Sequence, residues 1–255
     1  VNDVIPFGSS FVAAGPSTAL LSQNTSGIFT IQPTTQTLGI NKVVNAGGTY
    51  LAVTNDGAVY DGSADGQTWT KLVDPSTAVV SNILAAGTKY VVYNSTQIAE
   101  LAFPSTTFVT PANLPSGSSI VNVRYLNDVV AIVATDNASN SSIITKSLSD
   151  NVSDASGWTL VTITAPSGRY AKDAWHDASG NWLVLLDNGD VYKSTIITNN
   201  LLLTGSAVQS NVNGLVAIDN SETFAIYNNA VVSGSNSYDV FRTSDAQNFT
   251  PVTLL

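Results

Sequence analysis

An all-β fold is what this sequence predicts, on three observations: its composition, its turns and its internal period. Close to a third of the 255 residues are Ser, Thr or Asn, only 11% are charged, and there are 2 Glu and no Met; an average soluble domain carries roughly 25% charged residues. Helix-favouring side chains are scarce, whereas Val, Thr, Ile and Tyr pack well on a pleated surface. A hydrophobic content of 44% suffices for a real core.

The period sets the elements in order. An aromatic or apolar strand followed by a turn recurs at Phe11-Val-Ala-Ala, Tyr50-Leu-Ala-Val, Tyr90-Val-Val-Tyr, Val130-Ala-Ile-Val, Trp182-Leu-Val-Leu and Phe224-Ala-Ile-Tyr, in steps of 39, 40, 40, 52 and 42 residues. Units of about 2–37, 38–77, 78–116, 117–167, 168–208 and 209–255 then each begin with their own first strand. The second unit is the most complete. Ile40-Asn-Lys-Val-Val-Asn leads to Tyr50-Leu-Ala-Val-Thr, an Asn55-Asp56-Gly57 turn, Ala58-Val-Tyr, a polar turn and Trp69-Thr-Lys-Leu-Val. The fifth unit repeats this design, with Asp187-Asn188-Gly189 as its turn; Gly in such turns supplies the positive φ of a tight hairpin. Four strands per unit at this spacing predict a six-bladed β-propeller, four antiparallel strands per blade, in one domain.

Charge and cysteine usage exclude several functions. The net charge is −9 with nine scattered Lys and Arg, so neither nucleic acid nor an anionic lipid surface is an expected partner. No apolar run approaches the roughly 18 residues of a membrane span, and Val-Asn-Asp-Val-Ile-Pro-Phe lacks the basic start of a signal peptide. The expectation is a soluble mature domain without membrane insertion, or a fragment of a longer chain. Without Cys there are no disulfides and no thiolate chemistry.

In the second unit Ser63-Ala-Asp65-Gly66-Gln67-Thr68-Trp69 resembles the Asp box of BNR-repeat propellers, one residue shorter between Asp and Gly. Thr243-Ser-Asp245-Ala-Gln-Asn-Phe249 and Asp154-Ala-Ser-Gly157-Trp158 are degenerate copies. Their expected role is structural: Asp accepts backbone N–H bonds at a hairpin turn, and the aromatic wedges between blades. In the alternating strand direction of a blade these turns lie opposite the usual ligand mouth, so no site is expected beside them. Sialidases of this resemblance use an arginine triad. Here Arg124, Arg169 and Arg242 are all the arginines, and Arg242 falls on an outer strand.

No catalytic set emerges. Glu100 and Glu222 are the only Glu, most Asp sit in turn sequences, and the single His176 has no assignable nucleophile. Two other groups are expected on the mouth face. Asn2, Asn41, Asn82, Asn122, Asp173 and Asn213 open the six inner strands at similar points. Their oxygens would form a polar ring suited to Ca²⁺, or each would cap its own strand. Two longer loops, 136–141 and 229–236, offer Asp136, Asn137, Asn140, Asn229, Ser233 and Asn236 as ligand-binding residues.

The general character of the chain, rich in Ser, Thr and Asn with a simple repeat and no catalytic set, resembles the host-recognition parts of phage spikes. Specifically, it is similar to the receptor-binding domain of the vertex spike of corticovirus-type, marine lipid-containing phages. That resemblance implies adsorption to a bacterial cell-surface receptor such as a glycan. It further implies a virion-surface location, Ca²⁺, a separate anchoring domain and a pentameric parent at the capsid vertex. The alternative is a secreted bacterial glycan-binding lectin or BNR-type glycoside hydrolase.

Overall fold

The computed structural model describes residues 3–7, 10–15, 19–23, 29–31, 39–45, 47–48, 50–62, 68–102, 105–126, 128–136, 140–177, 179–208, 210, 212–217, 224–232, 235–243, 248 and 250–252. Every regular element among these residues is a β-strand. Contacts divide the chain into two compact units, residues 1–110 with 151–154, and residues 111–150 with 155–255.

The first unit holds three sheets. One has β1 (Asp3–Phe7), β2 (Ser10–Ala14), β3 (Ala19–Gln23) and β4 (Phe29–Ile31) in chain order. The next has β5 (Ile40–Asn45), β6 (Tyr50–Thr54), β7 (Val59–Gly62) and β8 (Trp69–Val73), again in order. The last has three strands, β9 (Asn82–Ala86), β10 (Lys89–Tyr93) and β11 (Ile98–Glu100), and a single bridge from Ile98 to Val109 beyond β11.

The second unit holds β12 (Ser119–Leu126), β13 (Val129–Thr135), β14 (Ser141–Ser147) and β15 (Thr159–Thr164). These join β16 (Ala171–His176), β17 (Asn181–Leu186), β18 (Val191–Ile197) and β19 (Asn200–Leu202) in one sheet, ordered β12-β13-β14-β15-β19-β18-β17-β16. A four-stranded sheet of β20 (Val212–Ala217), β21 (Phe224–Val232), β22 (Ser235–Thr243) and β23 (Thr250–Val252) completes it. The eight-stranded sheet departs from the expected separate four-stranded ones. Its cause is β19, which pairs with β18 through two residue pairs and leaves an open edge that β15 takes in parallel, Thr162 to Asn200 through Thr164 to Leu202. An unsatisfied sheet edge readily recruits a neighbouring strand.

Burial explains why the second strands β6, β13 and β17 mark the repeat. β6 is buried at every residue, and β13 and β17 nearly so. Strands covered on both faces read as continuous apolar runs, whereas β15 alternates buried and exposed positions as an outer strand should. Leu183, Leu185, Leu186 and Leu201 are among the fully buried side chains of the second unit, each worth roughly 1.5–3 kcal/mol of burial. In the first unit Tyr50, Ile40, Val43 and Ala52 pack with Ala14 and Ile5 across the first two sheets.

The same backbone bonds recur where the sequence repeats. Gly57 N–H donates to the Thr54 carbonyl at 2.9 Å and Gly189 N–H to Leu186 at 3.0 Å, with φ of 84° and 86°. The carbonyl of each turn glycine then accepts from the chain entering the next inner strand, Val80 N–H on Gly57 and Val212 N–H on Gly189, both at 2.9 Å. A Cβ on Gly57 would lie 2.5 Å from Val79 Cγ1. Glycine is therefore required there by close approach as well as by φ.

Candidate functional site

At equivalent positions on the first strands stand five polar side chains and one glycine, and three of the six are the expected residues. By pairing with the second strand, the equivalent positions are Asp3 (opposite Ala14), Lys42 (Val53), Asn82 (Tyr93), Asn122 (Val133), Asp173 (Leu185) and Gly214 (Tyr227). Asn82, Asn122 and Asp173 stand as expected. Asn41 falls in a bulge between Ile40 and Lys42 and is exposed, and Asn213 falls in the bulge between Val212 and Gly214. Asn2 lies outside the described residues. Each bulge inserts one residue, and a one-residue slip turns side chains to the other face.

The row serves the backbone. These are edge strands, so alternate N–H groups have no ladder partner. Asn82 Oδ1 accepts Ile83 N–H at 2.8 Å, Asn122 Oδ1 accepts Val123 N–H at 2.9 Å, and Asp173 Oδ1 accepts Ala174 N–H at 2.9 Å. Lys42 has no acceptor for Val43, and Asp3 Oδ2 takes that N–H at 3.0 Å while Oδ1 pairs with Lys42 Nζ at 3.2 Å. Asp173 also receives Arg124 in a two-point pair, Nε on Oδ1 at 2.8 Å and Nη2 on Oδ2. The same Nη2 reaches the Leu215 carbonyl at 2.6 Å. One guanidinium thus ties β12, β16 and β20. Among the described residues no three His, Asp or Glu side chains gather as a metal site. The oxygens of Asn82, Asn122 and Asp173 each accept the N–H of the following residue, as the strand-capping alternative expects.

Of the expected ligand-binding residues, Asp136 and Asn140 close their own hairpin. Asn140 donates its backbone N–H to Asp136 Oδ1 and its Nδ2 to Oδ2, both at 2.8 Å. Asp177 and Asn181 repeat this geometry at 2.8 and 2.7 Å. Asn137 and Ser233 lie outside the described residues. Asn229 and Asn236 are not in an extended loop: β21 and β22 stay paired from Phe224–Thr243 out to Val232–Ser235, which places both on strands.

The Asp-box residues Ser63, Asp65, Gly66, Asp245 and Phe249 lie outside the described residues. Trp69 stacks on Tyr50 with ring centroids 6.4 Å apart and packs with the Ile40, Val43 and Ala14 cluster. Its ring covers Gly62, where a Cβ would come within 2.7 Å. Trp158 is buried, with Lys146 Nζ 5.5 Å from its ring centroid, and that Nζ donates to the Ser156 carbonyl at 2.7 Å. Asp154 is exposed, its N–H on the Asn151 carbonyl at 3.0 Å. The other candidates are packed or paired. His176 lies against Trp182 at 4.9 Å, Glu100 pairs with Lys89 at 3.0 Å and Arg169 with Asp187 at 3.3 Å; Glu222 lies outside the described residues.

Sequence reasoning missed an open groove of about 600 Å³ in the second unit, lined by Asn113, Trp158, Thr159, Leu160, Thr162, Thr198 and Asn199. It borders the Asp-box segment, beside which no site was expected. The parallel pairing of β15 with β19 builds it, because Thr162 N–H donates to the Asn199 carbonyl at 3.0 Å and brings the β18–β19 turn alongside β15. From the other side Asn113 Nδ2 donates to the Trp158 carbonyl. Thr162 Oγ1 and Thr164 Oγ1 both donate to Asn200 Oδ1 at 3.2 Å. The turn itself is strained: Thr198 and Asn199 have φ of 49° and 58°. For a β-branched residue this is a genuine outlier, costing on the order of 1–3 kcal/mol. No lining residue is titratable, so the groove offers hydrogen bonds without acid or base. The one legible trace of it is the run Thr159-Leu-Val-Thr162-Ile-Thr164.

No family model matches the sequence, and no curated protein matches it. Solved structures do match in fold. YCF48 from Cyanidioschyzon merolae superposes with a TM-score of 0.66 at 10% identity, over 98% of this chain and 84% of that one. YCF48 bound to D1 peptide gives 0.63 at 14% identity, over 95% and 76%. The extracellular domain of BT4673 from B. thetaiotaomicron gives 0.62 at 11% identity, over 98% and 40%. The chain has a β-propeller-like fold. At these identities the likeness concerns fold alone.

Proposed function

We propose that this chain is a non-catalytic recognition domain that adsorbs to a bacterial cell-surface receptor, as the receptor-binding part of a virion spike. The observation that carries the reading is the groove beside Trp158, an exposed concavity lined by Thr and Asn side chains with Trp158 and Leu160 and by no titratable group. Such a surface binds without supplying acid or base. Six blades of four strands, in a parent chain that is pentameric at a capsid vertex, belong to the same reading. The recurrence of the turn-glycine bonds supports the repeat it assumes. A fold of this kind is compatible with binding, since one structural neighbour is a peptide complex.

The test is competition. Purified chain is expected to block adsorption of a corticovirus-type phage to its susceptible cells, and to release no sugar from their surface polysaccharide. The assay is run with Ca²⁺ and with chelator, because the resemblance implies the ion. Absence of cell binding in both conditions overturns the proposal. Release of sugar that disappears in Asp173→Asn transfers it to the glycoside hydrolase reading, against which stands the commitment of Asp173 to Arg124 and Ala174.

A further inference from the structure

Resting on the reading that this chain recognises a cell surface, we infer that the groove beside Trp158 takes a short uncharged oligosaccharide. Its hydrogen-bond inventory selects that class. The Thr162 hydroxyl spends its proton inside the protein, on Asn200 Oδ1 at 3.2 Å or the Asn199 carbonyl at 3.4 Å, so it offers a ligand lone pairs. Asn113 donates Nδ2 to the Trp158 carbonyl, which leaves Oδ1 as a second oriented acceptor. Thr159, Thr198 and Asn199 are exposed and add groups that both donate and accept. A sugar hydroxyl donates one hydrogen bond and accepts two, and adjacent hydroxyls on one ring match oriented acceptors flanked by adaptable groups.

Other ligand classes fit worse. A carboxylate, sulfate or phosphate would face oriented acceptors with no Lys or Arg in the lining, on a chain of net charge −9. A wholly apolar ligand would strip water from Thr162 and Asn113 and return no hydrogen bond. Leu160, half-buried in the lining, gives the C–H face of a sugar ring an apolar contact. The volume lies within the roughly 300–1,000 Å³ of clefts that hold a ligand of drug size. The strained Thr198–Asn199 turn holds two of the five polar lining residues at its tip, as strain retained at a ligand site does.

The probe is an immobilised panel of neutral oligosaccharides, with sialylated and sulfated oligosaccharides as the acidic arm, presented to the whole chain. Binding is expected in the neutral arm. Thr162→Val and Asn199→Ala should each weaken it by roughly tenfold, the loss expected for a polar contact left unpaired, while Thr77→Val in the other unit leaves it unchanged. Melting curves of the variants separate loss of contact from loss of fold, and Asn199→Ala, at an exposed turn, keeps the test open if Thr162→Val does not fold. Binding confined to the acidic arm, or neutral binding unchanged in both groove variants, overturns the inference. So does a chain that adsorbs to cells but binds no oligosaccharide, an outcome that leaves the recognition reading intact with another ligand. A chain that adsorbs to no cell defeats both.

Discussion

The Asp173 carboxylate has a nearly buried side chain, 5% exposed, and meets an Arg124 that is 29% exposed. Removing one partner of such a pair leaves the other charge desolvated, which costs about 3–5 kcal/mol for fully buried pairs. For Asp173→Ala we expect the lower end, about 3 kcal/mol in urea unfolding: Arg124 keeps some water, which reduces the cost, and the loss of the Ala174 N–H acceptor offsets only part of that reduction. Asp173→Asn retains an oxygen for that N–H and should cost less. Asp74 behaves differently because it is exposed. Its carboxyl is held at about 2, below the ordinary 3.8, first by the Ser76 backbone N–H, then by the Ser76 hydroxyl and Lys71. A depressed carboxylate stabilises the fold above its unfolded pKa and loses that contribution as pH falls. The turn after β8 should therefore loosen between about pH 3.8 and 2, visible in an NMR titration of Asp74. Loosening that begins only above pH 5 would contradict this account.

At the scale of elements, the β18–β19 hairpin places Thr198 and Asn199 where both central residues have positive φ, a geometry that favours Asn-Gly. The double change Thr198→Asn with Asn199→Gly should raise stability by about 1 kcal/mol in thermal or denaturant unfolding, while weakening ligand binding. If it destabilises, the strain assigned to this turn is wrong. Strand positions were legible because the second strands, buried on both faces, announce themselves as apolar runs such as Trp182-Leu-Val-Leu-Leu. Bulges were not. β5, β12, β16 and β20 each carry one at the same point, and Asn41 and Asn213 are the inserted residues, next to the Lys42 and Gly214 that share the register of Asn82, Asn122 and Asp173. The groove was the least legible of all, since it depends on β19 pairing with β15, Thr162 with Asn200 through Thr164 with Leu202, far apart in sequence.

For the whole molecule, a net charge of −9 against nine cationic residues makes self-repulsion the dominant long-range term. Raising salt from about 0.01 to 0.15 M shortens the Debye length from about 30 to about 8 Å. The melting temperature should rise over that range and then level off, whereas a fall would mean that surface ion pairs such as Lys71–Asp74 outweigh the repulsion. The fold class was open to sequence reading because its cause is repeated: one strand pattern and one turn chemistry recur along the chain. The likeness to propeller-like structures, at 10–14% identity, is one of fold alone.

By itself, the sequence determined that the chain is all-β, that its strands repeat at about forty residues, and that glycine must stand at turns such as 55–57. These follow from local propensity and short-range periodicity. Only the tertiary structure decided which polar residues share a register, that Asp173 is bound to Arg124, and that β15 and β19 merge two strand groups around a groove. Those outcomes depend on bulges and on an edge-to-edge pairing between distant segments. Nothing local in the chain encodes either one.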